Sequence, residues 1–205
     1  MSSQTKPKIA HLILAAGASS RMGKPKQLLS WGDTTLIGHA IVQSLSIKEV
    51  TTWVILGANY DLIKREVSRF PVTPINNVNW ALGIGSSISV GVKTIRKEKS
   101  KYNAVLISLI DQPLIDVEHY KTLITEFDLY SNSLVASDLG GRIGVPAIFS
   151  KSFFNELELL KEDFGARYII KNKINGVKVV SAIEKGIDID TNEQYQAIKK
   201  SKFSY

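Results

Sequence analysis

A basic loop marked by glycines follows the first apolar segment of the chain, and its residues are of the kinds that bind anions. The stretch LILAAGASSRMGKPKQLL, residues 12–29, passes from an apolar run into a turn that carries Gly17, Arg21 and Lys26. A strand that enters a glycine loop exposes backbone N–H groups, which favour a negatively charged ligand. Two cations beyond the glycine suit a triphosphate, which carries several negative charges. The loop therefore predicts a phosphate site rather than a bare basic turn.

Two well-known phosphate loops do not match this stretch. The dinucleotide fingerprint needs G-x-G-x-x-G, whereas GASSRMG keeps only the outer glycines, Gly17 and Gly23. The P-loop needs G-x-x-x-x-G-K-[ST], but five residues separate these glycines, and Pro25 stands where Ser or Thr would hold Mg²⁺. The loop is therefore of another kind.

An aspartate follows a second buried apolar segment directly. In LISLIDQP, residues 106–113, the apolar run ends at Asp111. Ligands of open α/β sheets bind at the carboxyl ends of strands, and a carboxylate there can hold Mg²⁺ together with substrate phosphates. Capping of the helix that begins near Asp116 is the alternative. Asp190, in DIDTNEQY, has the same two interpretations: a second metal ligand or the N-cap of the last helix.

Alternating strand-like and helix-like segments position these residues. Apolar runs predict strands over 8–16, 50–57 and 103–110, and helical spacing predicts helices over 35–46, 60–70, 85–97 and 117–130. Pro74 makes residues 72–76 an edge strand at most. This order predicts an α/β fold with a Rossmann-like, doubly wound and mostly parallel sheet. Residues 138–149 read as a glycine-rich turn, and two helices, a short strand and a closing helix are expected after it.

Composition limits the class of protein. The chain has 205 residues, 44% hydrophobic and 22% charged, with a formal charge of +7 and no cysteine. Disulfides and thiolate nucleophiles are therefore excluded, and a cytoplasmic protein is expected. No apolar run approaches the ~18–20 residues of a membrane helix. Basic residues are spread along the chain without a nucleic-acid recognition motif, so we expect neither membrane nor nucleic acid as a partner.

Taken together, the motifs resemble the MobA-like nucleotidyltransferases, especially the MocA-type molybdenum cofactor cytidylyltransferases. Besides the first loop, the likeness includes NVNWALGIGSSISVGV, LISLIDQPLID, GRIGVPAIF, EDFGARYII and DIDTNEQY, in order along nearly the whole chain. It implies a single nucleotidyltransferase domain over residues 1–205. Its nucleotide-binding half would span about 8–115, and a smaller acceptor-binding lobe would occupy about 116–205.

The resemblance implies transfer of a nucleoside monophosphate from an NTP to the terminal phosphate of molybdopterin, with release of pyrophosphate. Mg²⁺ is the implied cofactor, and the implied catalytic residues are Arg21, Lys26 and Asp111. Asp111 would bind the metal ion, with Asp190 as a second ligand. The acceptor phosphate is largely dianionic at pH 7, because its second pKa is about 6, and it needs no general base. This agrees with the histidines, which lie on predicted strand or helix segments without metal-ligand spacing: His11, His39 and His119.

The nucleotide contacts fall in two stretches. Glycines that permit close approach and hydroxyls in NWALGIGSSI suit the base or ribose. Trp80 could stack on the base, but packing is the favoured role. By resemblance, the LAAG form with Ala16 implies CTP rather than GTP or ATP, since a methyl group would narrow the base site. The nucleotide-binding residues expected are Ala15, Ala16, Gly17, Arg21, Lys26, Gly83, Ser86 and Ser87.

The acceptor contacts are expected from the second half of the chain. The resemblance assigns them to Gly144, Pro146, Asp163 and Arg167, of which Arg167 suits a phosphate. The chain departs from its family's common pattern at Glu162, Asn192 and Val145, the last standing where many relatives have histidine. A phosphorylated pterin is the leading acceptor, with an apo-molybdoenzyme as a further partner. The alternatives are a transferase for a sugar or polyol phosphate, and a non-catalytic protein that delivers molybdenum cofactor.

Overall fold

The structure is a computed structural model that describes residues 7–98, 101–130, 133–161, 163 and 165–203. In chain order the strands are β1 (Ile9–Ala15), β2 (Ser30–Trp31), β3 (Thr34–Thr35), β4 (Val50–Leu56), β5 (Thr73–Asn76), β6 (Ala104–Leu109), β7 (Leu134–Asp138), β8 (Ile143–Ser150) and β9 (Lys178–Ser181). The α-helices are α1 (Leu36–Leu45), α2 (Tyr60–Val67), α3 (Ile84–Lys97), α4 (Val117–Tyr130), α5 (Phe154–Glu158), α6 (Gly165–Asn172) and α7 (Asn192–Phe203).

Seven strands form one sheet in the order β5-β4-β1-β6-β8-β7-β9. The strands from β5 to β6 pair in parallel, β8 runs antiparallel to β6 and β7, and β9 pairs in parallel with β7. The predicted α/β fold with a mostly parallel sheet is confirmed, and the Pro74 strand lies at the sheet edge as expected. Strands from both predicted halves share this sheet.

Strand β1 shows why the sheet is covered on both faces. All seven of its residues are buried, and they alternate between two layers, as a period of two requires. Ala10, Leu12 and Leu14 pack in the cluster that contains the apolar side chains of α3, α5 and α6. Ile13 and Ala15 pack against α1 and α2, and Ile9 packs in the cluster of α4. The carboxyl ends of the parallel strands are therefore left free for a ligand.

The turn predicted over residues 138–149 is wrong for most of its length. Only the segment between Asp138 and Ile143 turns, and strand β8 follows it. Most of its residues are buried between β6 and β7, whose pairing satisfies the backbone groups of this glycine-containing segment. The β7–β8 register shifts after Ala136, opposite Val145 and Pro146, so proline lies where regular pairing is interrupted.

A small hairpin, β2–β3, was not predicted, and it anchors the closing helix. Trp31 is buried with its ring centroid 5.1 Å from that of Phe203, and the Tyr195 hydroxyl donates to the Ser30 carbonyl at 2.6 Å. Ile189 is fully buried in the same cluster. The C-terminal part of the chain is thereby held against the first loop. No helix in the described parts of the chain is long and apolar enough to cross a membrane.

Candidate active site

The ammonium group of Lys26 joins the first loop to two distant aspartates. Lys26 Nζ donates to Asp111 Oδ2 at 2.7 Å, to the Ile189 carbonyl at 3.0 Å and to Asp190 Oδ1 at 3.3 Å. Arg21 Nη2 lies 3.3 Å from the same Asp190 oxygen. Basic and acidic residues that are far apart in sequence thus meet at the carboxyl ends of β1 and β6.

Helix capping does not explain Asp111. The cap of α4 is Asp116, whose Oδ1 accepts the backbone N–H of His119 at 3.0 Å. Asp111 stands outside that cap, and its Oδ2 faces Lys26. Of the two interpretations that the sequence left open, the capping one is wrong.

Asp190 is not a helix cap either. The N-cap of α7 is Thr191, whose hydroxyl oxygen accepts the Gln194 N–H at 3.3 Å. Gln194 Oε1 in turn accepts the N–H groups of Asp190 and Thr191 at 2.8 and 3.0 Å, which is a capping box. The Asp190 side chain is therefore left to the two cations of the first loop. The segment that carries Asp190 is irregular, and it is separated by a turn from β9, which ends at Ser181.

The two oxygens of Asp111 have different surroundings. Oδ2 binds Lys26, whereas Oδ1 is buried and has no hydrogen-bond partner among the described residues. Burial raises the pKa of Asp111; Lys26 opposes this shift, while Asp188 and Asp190 add to it. A divalent cation at Oδ1 fits this arrangement, because it would supply the missing partner and favour the charged form. Within the described residues no three acidic or histidine side chains form a metal cluster, so phosphate oxygens would have to complete the coordination.

The first loop is held by Gln27, which sequence reasoning missed. Its Nε2 donates to the carbonyl groups of Ala15 and Gly17, both at 2.8 Å, and the side chain is buried. The Ser19 hydroxyl accepts the Lys26 N–H at 3.0 Å across the same turn. The available sequence signal was the position of this polar residue in KPKQLL, directly before two leucines. These bonds fix the backbone that aims Lys26 at the aspartates.

A cavity of about 350 Å³ opens beside this loop. Of the expected nucleotide-binding residues, its walls contain Ala15, Ala16, Gly17, Lys26, Gly83 and Ser87, together with Trp80 and Asp111. We refer to it as the nucleotide-side cavity. A neighbouring cavity of about 290 Å³ shares Gly17 and Lys26 with it and also contains Arg21 and Asp190.

Ser86 does not line the nucleotide-side cavity. It lies in the first turn of α3, within hydrogen-bond distance of the Gly83 and Asn79 carbonyl oxygens at 2.7 and 3.0 Å. Its oxygen also accepts Asn77 Nδ2 at 2.8 Å. These local bonds occupy the hydroxyl. Ser87, one position later, does face the cavity.

Ala16 and Trp80 pack tightly onto a glycine. A Cβ atom added at Gly57 would lie 2.4 Å from Trp80 Cβ and 2.9 Å from Ala16 Cβ. Ala16 is buried and Trp80 half-buried in the cavity wall. The position of the Ala16 methyl group is therefore fixed by close packing behind it.

A second cavity, of about 260 Å³, lies on the other side of Asp111, and we call it the acceptor-side cavity. It shares Asp111 and Asp163 with the nucleotide-side cavity and also contains Gly144 and Arg167. Pro146 lies behind the wall: it is buried, and its carbonyl oxygen accepts the Ser137 hydroxyl at 2.6 Å. Glu162 lies outside the described residues.

Three further polar residues in this cavity escaped sequence reasoning. Gln112 Nε2 donates to Asp188 Oδ1 at 3.0 Å, and Arg142 forms an ion pair with Asp188 Oδ2. Gln112 directly follows Asp111, and Asp188 opens the DIDT motif. Their nearness to the expected metal ligands was the available signal.

The histidines are placed as expected, away from the walls of both cavities. His11 is fully buried between the hydroxyls of Ser44 and Ser108, at 2.7 and 2.8 Å, and burial lowers its pKa to about 3. Burial also lowers the pKa values of His39 and His119. The imidazole rings are thus neutral near pH 7.

Comparison with known proteins identifies the class of enzyme to which this sheet and loop belong, the nucleotidyltransferases. Residues 11–178 match the model of the MobA-like NTP transferase domain, and the chain belongs to that family. It is 27% identical to the purine catabolism protein PucB of Bacillus subtilis, over 95% of this chain and 98% of that one. It is 28% identical to nicotine blue oxidoreductase of Paenarthrobacter nicotinovorans, over 92% and 95% of the two chains.

Two further comparisons extend this family relation. The molybdenum cofactor cytidylyltransferase of Escherichia coli is 25% identical over 68% of this chain and 69% of its own length. Among solved structures, the manganese complex of Rv0371c from Mycobacterium tuberculosis superposes with a TM-score of 0.74 at 21% identity, over 95% and 99% of the two chains. The structural likeness shows the fold.

Proposed function

We propose that the protein is a Mg²⁺-dependent cytidylyltransferase that moves CMP from CTP to the terminal phosphate of molybdopterin and releases pyrophosphate. The observation that carries this proposal is the position of Asp111. It lies where the nucleotide-side and acceptor-side cavities meet, with one carboxylate oxygen on Lys26 and the other buried without a partner. A group-transfer site needs such a point, because both substrates must approach one centre.

The triphosphate would lie along the first loop. Gly17 and Lys26 belong both to the nucleotide-side cavity and to its neighbour, which also contains Arg21. The Lys26 ammonium, now shared among three oxygens, would exchange carboxylate contacts for phosphate oxygens. Arg21, whose side chain is 71% exposed, can swing toward a phosphate at little cost. Together the two cations would reduce the repulsion between the anionic substrates.

Asp111 would hold the metal ion, with Asp190 as a second ligand once Lys26 turns to the phosphates. When bound, Mg²⁺ would offset the negative charge that develops on the transferred phosphoryl group. Manganese in the Rv0371c structure supports a divalent cation in this fold. The side chains of this chain provide only part of a coordination shell. This agrees with Mg²⁺ sites in general, in which substrate phosphate oxygens complete the coordination.

The reaction needs alignment more than proton transfer. An oxygen of the acceptor phosphate forms a bond to the α-phosphorus of CTP, the bond from that phosphorus to the bridging oxygen breaks, and pyrophosphate leaves. Since the acceptor phosphate is already largely dianionic at pH 7, no side chain must remove a proton. The neutral histidines, which line neither cavity, are consistent with this chemistry.

CTP is favoured by the packing of Ala16. Its methyl group packs against Gly57, and Ala16 lines the nucleotide-side cavity. A narrowed base site suits a pyrimidine better than a purine. The name of the Escherichia coli relative supports both the cytidine nucleotide and the pterin acceptor.

The direct test is nucleotidyl transfer by the purified chain. CTP, GTP, ATP and UTP would each be incubated with Mg²⁺ and molybdopterin released from a molybdoenzyme, with pyrophosphate release and the dinucleotide product measured. We expect CTP to give the most product, no product to form without a divalent cation, and Asp111→Asn to lose most of the activity. Absence of pyrophosphate with all four nucleotides would overturn the enzyme assignment. A sugar phosphate that replaces molybdopterin as a better acceptor would overturn the acceptor alone.

A further inference from the structure

The three most exposed large apolar side chains of the described residues lie around one groove, away from the two substrate cavities. Val78, Leu159 and Leu82 are 77%, 74% and 63% exposed. All three line a cavity of about 480 Å³, which is larger than the nucleotide-side and acceptor-side cavities. Single exposed apolar residues are ordinary, but a cluster of them around a concave surface is typical of a binding site. We refer to this cavity as the α3–α5 groove.

One face of α3 forms the floor of the groove. Ser86, Ser89, Val90 and Lys93 line it, and their spacing of three and four positions places them on one side of the helix. Between the first and the last of them the helix rises about 10 Å, which is about two turns. The Ser89 hydroxyl donates to the Glu158 carbonyl at 2.6 Å, and this bond ties the floor to the end of α5. The groove therefore has room for a short segment, of about two helical turns or about three extended residues.

The serine hydroxyls of the floor already have hydrogen-bond partners within the protein. Ser89 is bonded to Glu158, and Ser86 is occupied by the local bonds described above. A ligand is therefore not needed to satisfy these hydroxyls, and the uncovered surface that remains on the two rims is aliphatic. Covering Val78, Leu82 and Leu159 with apolar side chains of a partner would remove that surface from water, which is favourable.

Two lysines give the groove a positive charge. Lys93 belongs to the floor, and Lys161 lies on the rim beyond the end of α5. Neither lysine has an ion-pair partner among the described residues. The carboxylate of Glu158, which also lines the groove, is neutralised by Arg96 at 2.9 Å. The groove thus combines uncovered aliphatic side chains with two positive charges, and it favours a ligand that is both apolar and acidic.

These features distinguish between possible occupants. A second copy of this chain in a two-fold arrangement would bring the same lysines of both copies together, and the formal charge of +7 on each copy would add to the repulsion. A nucleic acid strand binds by stacking on aromatic rings, whereas the exposed side chains of the groove are aliphatic. A lipid surface is flat and would leave the floor of a concave groove without contacts. A protein segment that carries apolar side chains between aspartates or glutamates matches both the shape and the charge.

The groove also adjoins the nucleotide-side cavity. Leu82 lines the groove, whereas its neighbours Ala81 and Gly83 line the nucleotide-side cavity. A partner seated in the groove would therefore contact the outer side of a segment whose inner side faces that cavity.

We propose that the α3–α5 groove is a docking site for a partner protein, which inserts a short apolar segment flanked by carboxylates. Its apolar side chains cover Val78, Leu82 and Leu159, and its carboxylates pair with Lys93 and Lys161. This inference goes beyond the proposed function, because it depends neither on the nucleotide nor on the acceptor.

The test selects ligands of the full chain from a phage-displayed library of random dodecapeptides. Enriched peptides are synthesised with a fluorescent label, and their affinities are measured by fluorescence anisotropy. Leu159→Ser removes an apolar contact of the rim, and Lys93→Glu reverses a charge of the floor. Matched controls are Leu62→Ser and Lys48→Glu, at exposed positions outside the groove. We expect enriched peptides to combine apolar residues with Asp or Glu, to bind Leu159→Ser and Lys93→Glu at least about tenfold more weakly, and to bind the controls as they bind the parent.

Thermal melting identifies any variant that fails to fold, and Val78→Ser then takes its place. Pyrophosphate release by the folded variants should match that of the parent, because Leu159 and Lys93 line neither substrate cavity. Three results with peptides would overturn the proposal: no enrichment, enriched peptides without carboxylates, or affinities unchanged in both groove variants. Two results with other probes would overturn it as well. Binding of the parent to vesicles of phosphatidylserine and phosphatidylcholine that Leu159→Ser abolishes would make the occupant a lipid surface, and a dimer in sedimentation that the same variant abolishes would make it a second copy.

Discussion

The nucleotide-side and acceptor-side cavities share Asp111 but are built differently. The first is formed by the loop after β1, the end of the neighbouring parallel strand β6 and the turn that leads into α3, and its main cation is Lys26. The second is formed around the antiparallel strand β8, the start of α6 and an irregular segment before α7. The phosphate-binding loop of the first site is encoded in one short stretch, whereas the residues of the second site come from segments that are far apart in the sequence. This difference determines which functional residues can be read from the sequence.

The largest effect should follow from changing the residue that both cavities share. Asp111→Asn keeps the shape but loses the charge, and we expect activity to fall at least about 100-fold, since a metal ion supplies several kcal/mol of transition-state stabilisation. The Mg²⁺ concentration for half-maximal activity should rise. Steady-state kinetics over a range of Mg²⁺ concentrations measure both quantities.

Asp116→Asn is the matched control for this change. It removes the charge of the aspartate that caps α4, but asparagine caps helices as well as aspartate does. Its ion pair with Lys185 is partly exposed and contributes little. We expect near-parent activity. Equal loss in both variants would mean that charge loss in this region acts through folding and not through a metal.

Lys26 and Arg21 should differ although both belong to one loop. Lys26 is 15% exposed and holds Asp111, whereas Arg21 is 71% exposed. Lys26→Ala should reduce kcat/KM about 100-fold, as loss of a preorganised charge donor does. It should also lower the stability of the fold, because the Asp111 carboxylate would remain largely buried without its ion-pair partner. Arg21→Ala should cost about tenfold in activity and less than about 0.5 kcal/mol in stability.

Urea unfolding and kinetics on both variants test this contrast, with the exposed Arg65→Ala as a control. Equal stabilities of the Lys26→Ala and parent proteins would show that the Lys26–Asp111 contact contributes nothing to the folded state.

Low pH should inactivate the enzyme through Asp111. Burial raises its pKa, so the charged form is lost at a higher pH than in an ordinary aspartate. Protonated Asp111 has no charge for a cation, and activity should fall as the pH drops through the raised pKa. Because Mg²⁺ competes with the proton, tenfold more Mg²⁺ should move this acid limb to lower pH. The pH profile of kcat/KM at two Mg²⁺ concentrations measures the shift, and a limb that does not move would contradict a metal at Asp111.

The two cavities also show how much of the candidate site could be predicted from the sequence. Gly17, Arg21, Lys26 and Asp111 were readable because the loop and the strand end carry their residues within a few positions of each other. The alternative cap roles of Asp111 and Asp190 needed the structure, since only coordinates show that Asp116 and Thr191 cap the helices.

The residues of the acceptor-side cavity were harder to predict from the sequence, for a physical reason. Glycines in residues 138–149 suggested a turn, but pairing with β6 and β7 makes most of that stretch a strand, and local composition does not encode such pairing. The contacts of Gln112 and Arg142 with Asp188 join residues 76 and 46 positions apart. Contacts of that range depend on the packed fold.

Arg167 should affect the acceptor substrate alone. It is exposed in the wall of the acceptor-side cavity and does not line the nucleotide-side cavity. Arg167→Ala should raise the KM for the acceptor about tenfold, because one charge-assisted phosphate contact is lost. The KM for CTP should be unchanged. Initial rates with each substrate varied in turn separate the two constants. A rise in the KM for CTP instead would mean that the two cavities do not divide the substrates as proposed.

The smallest effect is expected at Ala16, where a single methyl group is in question. One methylene in a pocket discriminates by roughly 1–3 kcal/mol, and a methyl in a cavity that is open on one side should lie at the low end. Ala16→Gly should therefore reduce the ratio of kcat/KM for CTP over GTP several-fold, mainly by improving GTP. Ala81→Gly is the matched control, because Ala81 lines the same cavity without the close Gly57 contact. Competition between the two nucleotides in one reaction measures the ratio directly. If Ala81→Gly lowers the CTP-to-GTP ratio as much as Ala16→Gly does, general loosening of the wall is responsible. If the parent protein uses GTP and CTP equally well, the methyl group does not select the base, and other residues must do so.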